Sequence, residues 1–310
     1  RLQIWSGRFE RTGEDRHAVQ AEIVNGLARE LQVSVSTVES GRTSNNPDVH
    51  ELIFRGFSAI KASRRHGVEG LRPAEHYFLQ ALERDPDAIR AQIGLGAYHA
   101  HMAVQLFAPD PAPHLEKAES ILQQVIDRHP NLSEAYPPLG LVRVARSQMK
   151  EAMQAFERAI ELNPSDAPSH AQVGRALVSL GHPKEGLEHV LYAMQLSPRD
   201  PILGYWLAFA GYASLELARY EDATGYLGRA HARNPTQPRT ALTYIAALAM
   251  AGRMSEARLK LDQLQKTHPH LTHERILKMY SKQPAGRLRT IEGIRRVLAA
   301  EDADQSAVIK

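Results

Sequence analysis

His268, His270 and His273 crowd around Pro269, and His99 and His101 flank Ala100. Imidazole is a common zinc ligand, so three in so short a stretch raise the question of a metal site. No carboxylate or cysteine completes a convincing ligand set there, and His268 and His270 flank a proline in what reads as a solvent-facing turn. Gly94-Leu95-Gly96 opens like a dinucleotide phosphate loop, but His99 stands where that loop needs its third glycine. Neither a Gly-x-Ser-x-Gly elbow nor a His-Glu-x-x-His pair occurs. Glu151, Glu157 and Glu161 fall on the outer face of an amphipathic helix, where solvation explains them. Arg64-Arg65, Arg287, Arg289 and Arg295-Arg296 lack the interleaved aromatics of a nucleic-acid platform and read as solvated faces. The residues support no catalytic set, no cofactor and no metal.

Composition narrows the field further. The chain has 310 residues, no cysteine, and 38 Lys+Arg against 35 Asp+Glu, a net charge of +3. So small an excess creates no broad positive field for nucleic acid, despite a pI near 9.1. Without cysteine there is no disulfide framework. No apolar leader pattern opens the chain, and Arg1 in place of Met reads as a fragment or processed product. The longest uncharged run, Pro201–Leu215, is shorter than the roughly 18–20 residues of a membrane span and reads as a buried helix.

The elements that would carry any site repeat along the chain. In Ser133–Asp166, counted from Ser133 as position 1, Tyr136, Leu139, Gly140, Ala152, Phe156, Ala159 and Pro164 occupy positions 4, 7, 8, 20, 24, 27 and 32. Tyr136 and Leu139 share one face of a first helix; Phe156 and Ala159 share one face of a second. Gly140 and Ala152 are small where two helices approach, and Pro164 stops the second helix. Pro86, Pro130, Pro164, Pro198, Pro235 and Pro269 repeat the mark at separations of 44, 34, 34, 37 and 34 residues. Before each stands the same triplet, from Ala74/Phe78/Ala81 to Ala257/Leu261/Leu264. Gly56, Gly96, Gly140, Gly174 and Gly211 take position 8, with Ile245 in the sixth unit.

This spacing resembles the tetratricopeptide (TPR) repeat, a helix–turn–helix unit of about 34 residues. The fold expected is an all-α superhelical solenoid of about six repeats over 49–271, with C-terminal capping helices and tail over 272–310. Upstream, Leu2 and Ile4 alternate with Trp5 as a short strand, and Val19, Ile23, Leu27 and Leu31 mark an amphipathic helix. Ile4-Trp5-Ser6-Gly7-Arg8-Phe9 with Gln20-Ala21-Glu22-Ile23 looks like the closing strand and helix of a TolB-like α/β domain. On that resemblance 1–33 is a domain remnant and the polar stretch 34–48 a linker. TolB-like domains commonly precede TPR repeats in bacterial class III adenylate cyclases, and also occur in winged-helix regulators. The resemblance implies an interaction or scaffold half of such a signalling protein, in the cytoplasm, or in the periplasm should the parent carry an upstream membrane span.

Three departures from the period locate insertions. Six extra residues are expected to lengthen the Ser63–Pro73 turn, and ten more surround Leu106, Phe107 and Pro109. Asp200 and Pro201 are expected to extend the fifth unit's first helix by almost a turn. TPR proteins line their concave groove with positions 2, 5, 9 and 12 of each first helix. Those positions include Phe57, Arg90, Leu141, Arg175, Tyr205, Tyr212 and Arg239, a largely apolar set. The expected occupant is a protein or peptide, a dimer mate, or the chain's own helices after Pro269. Leu106 and Phe107, apolar in a loop with no evident core to join, are expected as a second contact.

Overall fold

The computed structural model describes residues 46–105, 107–235, 237–280 and 288–308. The strand and helix expected in 1–33, most of the 34–48 linker, and Leu106 lie outside the described residues. Among the described residues all regular structure is helical. Two compact units divide the chain after Asp166.

In the first unit, α1 (Pro47–Leu71) pairs with α2 (Pro73–Arg84), and α3 (Ile89–Val104) with α4 (Ala112–Arg128). After a short 3₁₀ turn at Ser133–Ala135, α5 (Tyr136–Ala145) pairs with α6 (Met149–Leu162). The second unit pairs α7 (Ala167–Ser179) with α8 (Pro183–Leu196) and α9 (Leu203–Glu216) with α10 (Tyr220–Arg233). Its third pair is α11 (Pro238–Met250) and α12 (Met254–Thr267), followed by α13 (His273–Tyr280) and α14 (Leu288–Val308). Within each unit the second helix of a pair also lies against the first helix of the next, so each pair buries its apolar stripes on its neighbours.

One pairing sets the register throughout. A Cβ on Gly140 would lie 2.5 Å from the Phe156 ring, and one on Gly96 or Gly211 would lie 2.7 or 2.5 Å from Leu122 or Leu227. In these pairs position 8 of the first helix is thus empty so that position 24 of its partner can fill the space; the sixth pair instead has Ile245, itself buried, at position 8. In the fourth pair both sides are small. A Cβ on Gly174 would meet the Gly186 carbonyl at 2.5 Å and Val190 Cγ2 at 2.6 Å. Gly225, on α10, has nothing within 4 Å of its Cβ direction. Gly174→Leu therefore overpacks a backbone-to-backbone contact and is expected to cost about 1–3 kcal/mol. Gly225→Ala should be neutral or gain up to about 1 kcal/mol of helix propensity. Urea melts compare them, and equal effects would contradict the register.

The turn inside four of the pairs is also repeated. Ser147, Gly181, Ala218 and Gly252, all at position 15, adopt positive φ. The following amide in each case reaches back to a carbonyl five residues earlier, as Gln148 N–H to Arg143 O (2.9 Å) and Arg219 N–H to Ser214 O (2.9 Å). This is the Schellman closure of a helix C-terminus, and it is adopted at Ser147 and Ala218 without glycine's freedom.

The insertions behave differently from expectation. The first lengthens α1, not the turn: the helix runs on through Ser63 and residues 64–66 until Gly67 (φ 60°) breaks it. Ala62, Arg64 and Arg65 are good helix formers, and Gly67 is the first residue that favours a stop. In the second, Phe107 N–H donates to Met102 O (3.0 Å), folding the loop back so that Phe107 packs against Leu71, Phe78 and Tyr98. Phe107 does have a core to join. Asp200 Oδ1 accepts the Ile202 amide (2.9 Å) in a turn, and α9 begins at Leu203, so Pro201 does not extend the helix.

Candidate functional site

The inner positions of the first unit form a half-covered apolar face. Ile53, Ile60, Ile93 and Ala100 are buried, while Phe57, Ala97, Pro137, Leu141 and Val144 remain half-buried. Phe57 stands edge-on to Phe78 (5.2 Å between centroids), and the Arg90 guanidinium lies over the Phe57 ring at 5.6 Å. Arg90 Nε also faces the Glu134 carboxylate at 3.4 Å. The arrangement offers apolar side chains beside one partly exposed ion pair, a surface suited to an amphipathic segment.

The second unit's inner positions are differently engaged. Arg175 lies over Phe209 (5.8 Å) and donates from Nε to Gln172 Oε1 (2.9 Å). Tyr205 accepts from Gln237 Nε2 at 2.7 Å and is half-buried. Tyr212 is only 6% exposed, packed with Val178, Trp206 and Ala210, so it is not a solvent-facing anchor. Spacing seven residues apart puts Tyr205 and Tyr212 on one face of α9, but the neighbouring pair covers only Tyr212 fully. Arg239 is exposed at the start of α11.

Four further inner positions, at the end of α9 and along α11, are covered by the chain itself. Leu215, Leu242, Ala246 and Ala249 are buried in one cluster with Ile294, Val297 and Leu298 of α14. A Cβ on Gly293 would lie 2.5 Å from the Ala246 carbonyl, so the two helices meet backbone to backbone. Glu216, at the end of α9 and 7% exposed, anchors the first turn of α14. Its carboxylate accepts the amides of Arg289 and Thr290 (both 3.1 Å) and the Thr290 hydroxyl (2.8 Å). Arg289 in turn donates to the Glu216 carbonyl at 2.5 Å. A carboxylate on unsatisfied first-turn amides acts as an N-cap supplied from elsewhere in the chain, and suits the helix dipole. Farther along, Arg258 of α12 donates to the Ala300 carbonyl (3.1 Å). α14 lies chiefly along α11, the first helix of the last pair, and reaches α9.

The histidines pair across helices, not within one. His99 Nδ1 lies 2.9 Å from His114 Nδ1, so one ring donates and the other accepts. Burial, with His114 and Lys117 nearby, pushes the His99 pKa down to about 4. His170 and His189 stack where His99 and His114 are tilted, and burial lowers the His189 pKa against the opposing pull of Glu188 and Glu185. His268 and His270 meet edge-on at 5.8 Å, and among the described residues no three His, Asp or Glu side chains converge as for a metal. Gly94 and Gly96 sit inside α3, where their missing side chains admit Phe78 and Leu122. Among the described residues no helix is long and apolar enough to cross a membrane.

Residues 139–166 match the tetratricopeptide repeat family model. The fold is that of a TPR protein. Among solved structures, a chain of the APC/C hetero-tetramer Cut9–Hcn1 aligns with a TM-score of 0.62 at 12% identity, over 91% of this chain and 49% of that one. PilF of Pseudomonas aeruginosa aligns with a TM-score of 0.53 at 15% identity, over 76% of this chain and 98% of that one. No curated protein matches the chain significantly in sequence. The six helix pairs seen here carry the TPR arrangement beyond the one repeat that the family model matches.

Proposed function

We propose that the chain is a protein-interaction module that holds a peptide or protein segment on the inner helix faces of its TPR pairs. One observation carries this: the first unit's inner face keeps Phe57, Pro137, Leu141 and Val144 half-exposed beside the Arg90–Glu134 pair. Solvent-facing apolar surface rimmed by charge marks interaction sites. The fold is shared with a chain of a hetero-tetrameric assembly. The motif at 4–9 and 20–23 supports a parent of the class III adenylate cyclase kind, with 1–33 as a TolB-like remnant, 34–48 a linker, 49–271 the repeats and 272–310 the C-terminal helices. The alternatives are the C-terminal half of a winged-helix regulator and a free-standing TPR adaptor; the compartment is the cytoplasm, or the periplasm for a parent with an upstream membrane span.

Peptides selected from a displayed library on the purified chain test the interaction reading. Their affinity, read by fluorescence anisotropy, is expected to fall at least tenfold in Phe57→Leu or Leu141→Ala, about 1.4 kcal/mol. Ligands indifferent to both substitutions, in variants with unchanged melting, would move the binding surface elsewhere.

A further inference from the structure

The inner face of α9 and α11 differs from that of the first unit in already holding a helix, and the manner of holding defines what fits. We propose that this face is a receptor for an amphipathic helix, that α14 is its resident ligand, and that a partner protein binds by inserting a helix of the same pattern. The inference deepens the interaction reading above by naming the ligand class of the second unit.

Three features select a helix over an extended peptide. The Glu216 carboxylate takes two successive amides, Arg289 and Thr290, together with the Thr290 hydroxyl. Successive free amides on one side of the chain are what the first turn of a helix offers, whereas a strand points them alternately. Gly293 brings backbone onto the Ala246 carbonyl, leaving no room for a side chain at the crossing. Thr290, Ile294, Val297 and Leu298, spaced four, three and one apart, all point into the same buried stripe. The incoming helix must therefore start with an uncapped, hydroxyl-bearing turn, carry glycine three residues on, and present branched apolar residues after it.

The receptor does not need α14 to define itself. Gly211 receives Leu227 within the α9–α10 pair, and Ala257 and Leu261 of α12 lie in the cluster with Ile245 of α11. Without an occupant, Leu242, Ala246 and Ala249 would be bare apolar surface and Glu216 a carboxylate facing it. Joined through residues 281–287, the resident helix faces its site at an effective concentration on the order of millimolar. A partner helix then competes against occupancy, and its apparent affinity falls by the fraction of receptor that is open.

A fluorescein-labelled peptide of residues 288–304 is titrated into the full chain and into full chain carrying Ile294→Asp and Val297→Asp. Those substitutions evict the resident helix and leave α9 and α11 unaltered. The peptide is expected to bind the double variant at least tenfold more tightly than the wild type. That gain should vanish when Glu216→Ala is added, or when the peptide carries Gly293→Leu. Absence of binding to a variant that retains its helicity and its peptide ligands on the Phe57–Leu141 face would overturn the inference while leaving the interaction reading intact. Loss of those ligands with 288–304 binding preserved would do the reverse. Hydrogen exchange on the wild-type chain is a second measure that needs no variant. Amides 294–298 are expected to exchange by an opening that leaves α9 and α11 protected; exchange only with those helices would make α14 an inseparable part of the core. A wild-type dimer by light scattering, abolished by the double variant, would give the site to a second copy and overturn the partner.

Discussion

Phe78→Ala is expected to lower the stability of the first unit by about 3–5 kcal/mol, the usual range for removing a buried ring. Phe78 is fully buried, and its ring meets two glycines from successive pairs. A Cβ on Gly56 would lie 2.4 Å from it, and one on Gly94 2.2 Å. The same side chain thus joins α1 to α2 within one pair and α2 to α3 in the next. Its loss opens a cavity at the point where the stack propagates, against a typical domain stability of about 5–15 kcal/mol. The two glycines supply a sharper check. Gly94→Ala alone should destabilise, because its methyl strikes the ring. In a Phe78→Ala background the same methyl enters the vacated space and should recover part of the loss. A coupling of at least about 1 kcal/mol between the two substitutions, from urea unfolding, is expected. Additive effects would mean that the ring does not sit between those helices.

Acidification should unfold the chain more readily than its near-neutral balance of charge suggests. His99 is 3% exposed, hydrogen-bonded to His114, and holds a pKa of about 4 where an unperturbed imidazole has about 6.5. Between those values the unfolded chain takes up a proton that the folded chain refuses, so stability falls as pH drops from about 6.5 towards 4. At pH 4.5 this one site removes on the order of 2–3 kcal/mol, because each pKa unit is worth a little over 1 kcal/mol. His189 and His231, both lowered by burial, act in the same direction, the second with Lys260 adding to the effect. The groups facing His99 are His114 and Lys117 of α4, with Tyr98 beside it on α3, and no carboxylate among them offsets a second positive charge. His99→Gln keeps a neutral polar group at the site and should flatten the stability–pH curve between 7 and 4.5 by more than 1 kcal/mol. Parallel curves for wild type and variant would remove His99 as the cause.

The repeat architecture was legible because each of its determinants is local. Gly140 and Phe156 are sixteen residues apart, and the same small–large pair recurs at Gly96–Leu122 and Gly211–Leu227. Such pairs need only one turn between them to meet. What was hidden depends on longer or subtler connections. Tyr212 has the same spacing logic as Tyr205, but its burial is decided by Val178 and its neighbours in another pair. Phe107 found a core because the Met102 carbonyl turned the loop back, which no side-chain pattern announces. The first insertion lengthened a helix because its residues propagate one readily. Glu216 and Thr290 are 74 residues apart, and their hydrogen bonds left no periodic trace. The one available signal was modest: Glu216 is the charge that ends the uncharged run Pro201–Leu215, in a helix otherwise buried along almost its whole length.

That separation has a consequence in time. Translation at about 5–20 residues per second puts some 4–15 s between the appearance of Glu216 and that of Thr290. α9 is complete as that interval opens, and α10, α11 and α12 are made during it and can pair, while the groove between α9, α11 and the coming α14 stands empty. A nascent chain therefore passes through a stage in which Leu242, Ala246 and Ala249 are accessible. Any partner able to insert a helix meets its least contested opportunity at the ribosome, before the tethered competitor exists.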